Sequence, residues 1–235
     1  MLLHLGSIPT LVASSAEAAE EIMKTHDLSF CSRPSLTVPN ILLYGSKNIG
    51  FSPYGEYWRR LKSIVVLKLL SNTRVKSYQK VRASELAHMI HVLGESRGTI
   101  IDMGSVFGSL TNNIISRVAL GRKLDGPKYQ KLLCEFIEAF TVFSVGSYIP
   151  WLSWVDQAIG SVGKAKRIAK EFDEFLERII EEHVNKKKGE DAKNNDEEDF
   201  VNILLDMQAN SSSDFTLHRD SLKALILVSY FSIFL

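Results

Sequence analysis

Trp58 and Lys62 stand four positions apart, so a helix would set an indole N–H donor and an ammonium on one face beside apolar Leu61 and Val65. Such a face can hold an acidic group carried on a large flat apolar ligand. The competing reading is a core tryptophan ringed by Arg59, Arg60 and Lys62, whose stems lie along apolar surface while their charges stay in water. Periodicity alone leaves both open. Gly94-Glu-Ser96-Arg-Gly98 has the spacing of a nucleophile elbow, but that strained turn must follow a strand and open a helix. Here a helical pattern precedes it and a strand candidate follows, so the glycines read as a helix stop and turn rather than an esterase site. Gly121 and Gly126 have the gap of a phosphate loop, yet Pro127 stands where lysine should be, which removes both the ammonium and an amide donor. His88 and His91 could share a metal from one helix, but no third ligand is placed by sequence; they read as one core-facing and one wet histidine. Asn210-Ser-Ser212 is a glycosylation sequon that matters only in a lumenal protein. Cys31 and Cys134 are too few and too far apart for a disulfide framework or a four-ligand zinc site, which makes a reducing compartment the default.

The elements that must position these groups read mainly as helices. Residues 4–13 form a short hairpin pattern, and Ser14 with Glu17 makes a capping box for a helix that stops near His26. Prolines 34, 39 and 53 and glycines 45 and 50 break residues 28–53 into a long loop of the kind that is usually functional. Residues 54–70 carry Tyr57, Trp58, Leu61, Ile64 and Val65 at helical spacing. A helix is expected over 73–93, a short strand over 99–103, and a buried helix over 106–120 closed by Gly121. Residues 129–143 are helical, and Pro150, Trp151 and Trp154 mark a bulky aromatic loop. Over 164–184, Ala165, Ile168, Ala169, Phe172, Phe175, Leu176, Ile179 and His183 share a face, with Glu174 and Arg178 pairing on the wet side. Residues 186–199 are nearly all charge and amide and read as a solvated loop, after which 200–208 and 221–227 resume helix.

With 235 residues, 45% of them hydrophobic, the chain has enough apolar mass for a real core, which excludes intrinsic disorder. Its 28 basic and 27 acidic side chains leave a net charge of +1, so no global field draws in nucleic acid or an anionic membrane. No basic n-region leads a sustained apolar stretch at the start, so no signal peptide or anchor is expected. The apolar run 224–235 is shorter than the ~20 residues a membrane span needs.

Phe51-Ser-Pro-Tyr-Gly-Glu-Tyr-Trp-Arg59 resembles the run that opens the C-helix of plant A-type microsomal cytochromes P450, and is most similar to the seventy-one clan. Phe30-Cys-Ser-Arg-Pro34, Ser109-Leu-Thr-Asn-Asn113 through Arg117 to Gly121-Arg-Lys123, Phe172-Asp-Glu-Phe175 and Asp199-Phe-Val-Asn-Ile-Leu-Leu205 extend the likeness in the family's order, over about residues 2–227. The resemblance implies the N-terminal half of a haem-thiolate monooxygenase fold, mainly α with a small N-terminal β element, as one partial domain over 1–235. It implies haem (iron protoporphyrin), a small apolar substrate, electrons from NADPH-cytochrome P450 reductase, and the cytosolic face of the endoplasmic reticulum membrane.

The family's W-x-x-x-R pattern grips a haem propionate; Trp58 matches it, Lys62 keeps the charge without the planar fork, and Arg59 is a helper one position round the helix. The region 35–51, with Asn48, Ile49 and Phe51, and the segment 143–148, with Phe143 and Ser144, are implied as two walls of a substrate pocket. The axial cysteine of the family sits in a glycine-containing loop, and neither Cys31 nor Cys134 has that setting, so the chain as given is expected to hold haem improperly and to be inactive. The likeness stops at Leu227, and residues 228–235 are expected to be read-through past an exon end. The alternative from another class is a non-enzymatic α-helical interaction protein that docks a partner through its apolar tail.

Overall fold

The computed structural model describes residues 1–124, 126–188, 199–210 and 217–231. The tail residues 232–235, most of the charged loop 186–199 and the last two residues of the Asn210 sequon lie outside the described residues. The expected mainly helical architecture with a small β element is what the chain adopts. Strands β1 (Leu2–Leu5) and β2 (Ile8–Leu11) form an antiparallel hairpin. Thirteen α-helices follow among the described residues, interrupted by two π-helical turns and one 3-10 turn. They are α1 (Ala16–Glu20), α2 (Asp27–Phe30), α3 (Thr37–Leu42), α4 (Glu56–Ile64), α5 (Asn72–Ser77), α6 (Gln79–Glu95) and α7 (Met103–Leu120). After these come α8 (Pro127–Thr141), α9 (Val145–Tyr148), α10 (Ser153–Ala158), α11 (Ser161–Lys188), α12 (Phe200–Ala209) and α13 (Arg219–Phe231).

Helix α11 is the spine. Its stripe of Ala165, Ile168, Phe172, Leu176, Ile179 and Ile180 is fully buried, and it packs against α3, α8, α10, α12 and α13. Phe172 meets the Phe136 ring of α8 edge to face at 4.9 Å. Gly121, which ends α7 in the left-handed region at φ 68°, is needed twice. A side chain there would be strained by that backbone and would also run into the Asp199 carboxylate that caps α12.

Several local expectations are corrected by packing. The long loop 28–53 contains α2 and α3. Pro39 sits in the first turn of α3, where its missing N–H costs no helical bond, and Val38 and Leu42 on either side of it are buried. Ser15 rather than Ser14 caps α1, accepting from Ala18 N–H at 3.2 Å. The helix expected over 73–93 is broken at Tyr78 into α5 and α6. Residues 99–103 form no strand: Asp102 caps α7 through the Gly104 N–H at 3.0 Å, and Ile100 stands fully exposed with no strand to pair among the described residues. Helix α7 is buried only towards its end, at Ile115, Ser116, Ala119 and Leu120. Glu174 lies 3.9 Å from Lys170 rather than pairing with Arg178, whose guanidinium sits over the Phe175 ring. Residues 228–231 continue α13.

Candidate functional site

Helix α4 puts Trp58 and Lys62 together, as their spacing requires. The Lys62 ammonium lies over the indole ring, 4.9 Å from its centroid, and the Arg59 guanidinium lies 5.5 Å from the centre of the Tyr54 ring. Both cations are exposed, and among the described residues neither is ion-paired. Arg60, by contrast, is bound to Glu56 one turn back at 2.6 Å. The helix is held from below by Leu61, which is fully buried, and by Tyr57, whose hydroxyl donates to Ser221 Oγ on α13 at 2.9 Å. One face therefore anchors α4 while another presents two cations and two aromatic rings.

The indole N–H does not stand free: it donates to the Ile49 carbonyl at 2.9 Å. That bond ties the start of the site to the preceding loop. Asn48 in this loop is 0% exposed, and its Oδ1 accepts from the N–H groups of Gly50 at 2.8 Å and Phe51 at 3.0 Å. Its Nδ2 is buried and has no acceptor among the described residues. Phe51 then packs edge to face on Phe140 of α8 at 5.2 Å. Of the five residues named for the pocket walls, Asn48 is thus a buried turn-former, while Ile49 and Phe51 are half-buried. Ser144 is buried and donates to Asp156 at 2.7 Å, where the carboxylate also accepts the Val145 and Gly146 N–H groups at the start of α9. Burial would raise the Asp156 pKa, but these donors outweigh it and hold the carboxyl below the usual range. Phe143 is exposed and stacked on Tyr148 at 4.7 Å.

A polar network that the sequence reading missed pins the loop to the two helices behind it. Tyr44 donates to Asp173 of α11 at 2.9 Å, and Lys223 of α13 reaches both Asp173 and Glu177. Arg219 adds a second cation at Glu177, 2.6 Å away, and these cations hold the Glu177 carboxyl down to about 2 against the opposing effect of burial. Burial, reinforced by the Asp173 carboxylate, pushes the Tyr44 hydroxyl far up, so it remains a donor. Lys47 bonds Asp220 at 2.8 Å. The charges carrying this network are scattered through three segments, and no spacing rule links them.

Ser96 is the residue after α6, and its hydroxyl donates to the Val92 backbone carbonyl at 2.8 Å. His88 and His91 are both exposed, rather than one of them facing the core, and no cluster of metal-ligating side chains exists among the described residues. Cys31 Sγ bonds the Leu28 carbonyl oxygen at 3.2 Å, and Cys134 is exposed on α8.

The family model for cytochrome P450 matches residues 1–232. Cytochrome P450 71A2 of Solanum melongena is 52% identical over 234 residues, covering 98% of this chain and 46% of that protein. Cytochrome P450 Tp4149 of Tanacetum parthenium is 56% identical over 226 residues, covering 96% of this chain and 44% of that protein. A zebrafish cytochrome P450 structure superposes with a TM-score of 0.73 at 19% identity, over 99% of this chain and 52% of its own, and so shares the fold. The chain spans about half the length of the curated relatives it matches. With helix order, fold and sequence in agreement along nearly its whole length, the chain belongs to the cytochrome P450 family and folds as the N-terminal part of that fold.

Proposed function

We propose that this chain carries the part of a haem-thiolate monooxygenase that grips the acidic edge of the haem. The observation that carries the reading is the Lys62 ammonium seated on the Trp58 ring with no carboxylate partner among the described residues. An exposed cation above a half-buried ring suits a carboxylate attached to a flat apolar body, because charge meets charge while the ring covers apolar surface. The residues fit that edge: Lys62 would bond the acid, Arg59 would add a second positive charge nearby, and the indole, anchored on the Ile49 carbonyl, underlies the Lys62 ammonium. The indole N–H can join only by exchanging its bond to Ile49. Bound haem would supply the iron chemistry of oxygen activation. Neither cysteine is set as its thiolate ligand: Cys31 is engaged with its own turn, and Cys134 lies mid-helix on α8. The chain by itself therefore binds the haem edge without oxidising substrate. In the whole protein the reaction is oxidation of a small apolar metabolite with electrons from NADPH-cytochrome P450 reductase, with residues 35–51 and 143–148 contributing pocket walls.

The same reading seats the protein on the cytosolic face of the endoplasmic reticulum membrane. Its support is an apolar surface in which Trp151 and Trp154 are 71% and 62% exposed and Ile159 is bare. The exposed leucines of the β1–β2 hairpin lie nearby, because Ser7 N–H and hydroxyl both bond the Tyr148 carbonyl at 2.8 Å. Among the described residues no single helix is long and apolar enough to cross a membrane.

Haemin titration of the chain tests the proposal. Trp58→Ala combined with Lys62→Ala should weaken binding about tenfold or more, the loss of roughly one charge-assisted hydrogen bond. An unchanged titration sinks it. The reduced, carbon monoxide-treated complex should lack the absorption band of a thiolate-bound haem, and such a band would refute the inactivity of the isolated chain.

A further inference from the structure

We infer that Asn48 is the positioning residue of the Trp58–Lys62 pair. This rests on the proposed haem-edge reading and adds the group that sets its geometry. Asn48 organises a turn in which its side chain and its main chain are both acceptors: Oδ1 takes the Gly50 and Phe51 N–H groups, and its carbonyl takes the Ser52 N–H at 3.1 Å. An Asx turn of this kind fixes the peptide that follows it. That peptide carries the Ile49 carbonyl, which is aimed at Trp58 Nε1. The same turn sends the Phe51 ring onto Phe140, so α8 braces it from the far side. Trp58 in turn is the surface under the Lys62 ammonium. Position is passed along a chain of four residues, from Asn48 through Ile49 and Trp58 to Lys62.

The unpartnered Nδ2 identifies which half of the amide is used. With no acceptor for that Nδ2 among the described residues, the bonds the Asn48 side chain makes there run through its oxygen. Asn48→Asp keeps the acceptor and removes the idle donor, and its carboxylate would accept the same two backbone N–H groups. Asn48→Ala removes the acceptor and leaves two backbone donors without it.

The readout is hydrogen exchange of the Trp58 indole N–H, followed by NMR in the ligand-free 235-residue chain. Trp151 and Trp154, both largely exposed, report the rate of an unprotected indole in the same spectrum. In the native chain Trp58 should exchange far more slowly than either. Asn48→Ala should accelerate it by about tenfold or more relative to the backbone amides of α11, as loss of one held hydrogen bond predicts. A control of remote destabilisation, Val81→Ala on α6, should leave that ratio unchanged. Asn48→Asp should restore the native rate. The inference is overturned if Asn48→Ala leaves the Trp58 indole protected, if Val81→Ala changes the ratio equally, or if Asn48→Asp fails to restore it. Should Asn48→Ala not fold, Asn48→Asp carries the test alone, and an indole exchanging like Trp151 in that folded variant overturns the role.

Haemin titration of the same variants separates this inference from the reading beneath it. Loosened exchange in Asn48→Ala, with haemin affinity unaltered in both Asn48→Ala and the Trp58→Ala/Lys62→Ala pair, keeps the positioning and discards the haem edge. Affinity lost in the pair, with exchange and affinity both native in Asn48→Ala, does the reverse.

Discussion

Helices α11 and α6 are both long, but α11 gathers its apolar residues into one stripe between heavily charged faces while α6 carries few charges and spreads its apolar residues around its surface, and one is the spine of the core while the other is nearly bare. Along α11 the apolar face is sealed by five other helices, so that Ile168, Ile179 and Ile180 have no contact with water. Along α6 the apolar residues Leu86, Ile90 and Val92 face solvent, Ile90 with 59% of its surface exposed. What α6 buries most completely besides Val81 is a carboxylate, Glu85, at 2% exposure. The open cleft between α6 and α7, about 270 Å³, is lined by Glu85, His88, Val92, Ser105, Ser109 and Asn113. A one-sided apolar stripe, present on α11 and lacking on α6, thus marks where a helix can be covered, and the arrangement of neighbours decides how completely.

The sharpest break of the comparison is a matched pair of truncations. Phe172→Ala on α11 should destabilise the chain by about 3–5 kcal/mol, since it empties a packed aromatic site against Phe136. Ile90→Ala on α6 should stay within about 0.5 kcal/mol. Urea unfolding of both variants measures the contrast, and a large loss from Ile90→Ala would show that the α6 face is covered in solution.

Glu85 offers the second test. Arg117 approaches one carboxylate oxygen at 2.8 Å and Lys123 the other at 2.7 Å, both reaching in from half-exposed positions. Burial alone would raise its pKa, but the two cations outweigh burial and lower it. Glu85→Gln should cost about 2–3 kcal/mol, below the full penalty of a broken buried pair because water reaches both cations. A neutral result would mean that α6 is no better anchored than its exposed face suggests.

The smallest effect belongs to His183 on α11 and depends on pH. Its Nδ1 lies 2.7 Å from the Ile179 carbonyl oxygen and its Nε2 3.0 Å from Asp199, so two acceptors face one ring and only the imidazolium can donate to both. Burial and the nearby Lys186 lower its pKa, but the Asp199 hydrogen bond and charge prevail and raise it. A folded value above the unfolded one stabilises the chain fully below the ordinary histidine range, and that contribution is lost as pH rises through the folded value. The loss should reach about 1.5 kcal/mol, the lower end for a hydrogen bond to a charged group. Unfolding curves from mildly acidic to mildly alkaline pH should show this decline in the native chain and not in His183→Gln. An equal slope in both would remove His183 from the account.

Much of the fold was legible because it rests on local physics. The β1–β2 hairpin, α4, α8, α11 and α12 all follow from periodicity and punctuation, and Gly121 ends α7 where expected. The pairing of Trp58 with Lys62 was legible for the same reason, since four residues make about one helical turn. Helix α3 was not, because Pro39 reads as a breaker unless its place in the first turn is known. The residues 99–103 misled in the opposite direction: their β propensity had no partner strand to satisfy. In the candidate site, the bond from the indole to Ile49 and the role of Asn48 were illegible, because each depends on which way a loop peptide turns.

The amino-acid sequence by itself determined the family, through motifs that match it in order, and the face on which an indole and an ammonium meet, since that depends on spacing along one helix. Tertiary structure alone decided that the indole N–H is held by a loop carbonyl, that Tyr44, Asp173, Lys223 and Glu177 converge, and that α6 stays open while α11 is sealed. The reason is geometric: hydrogen bonds and burial act between atoms a few ångströms apart, and residues distant in sequence reach that range only after the helices have packed.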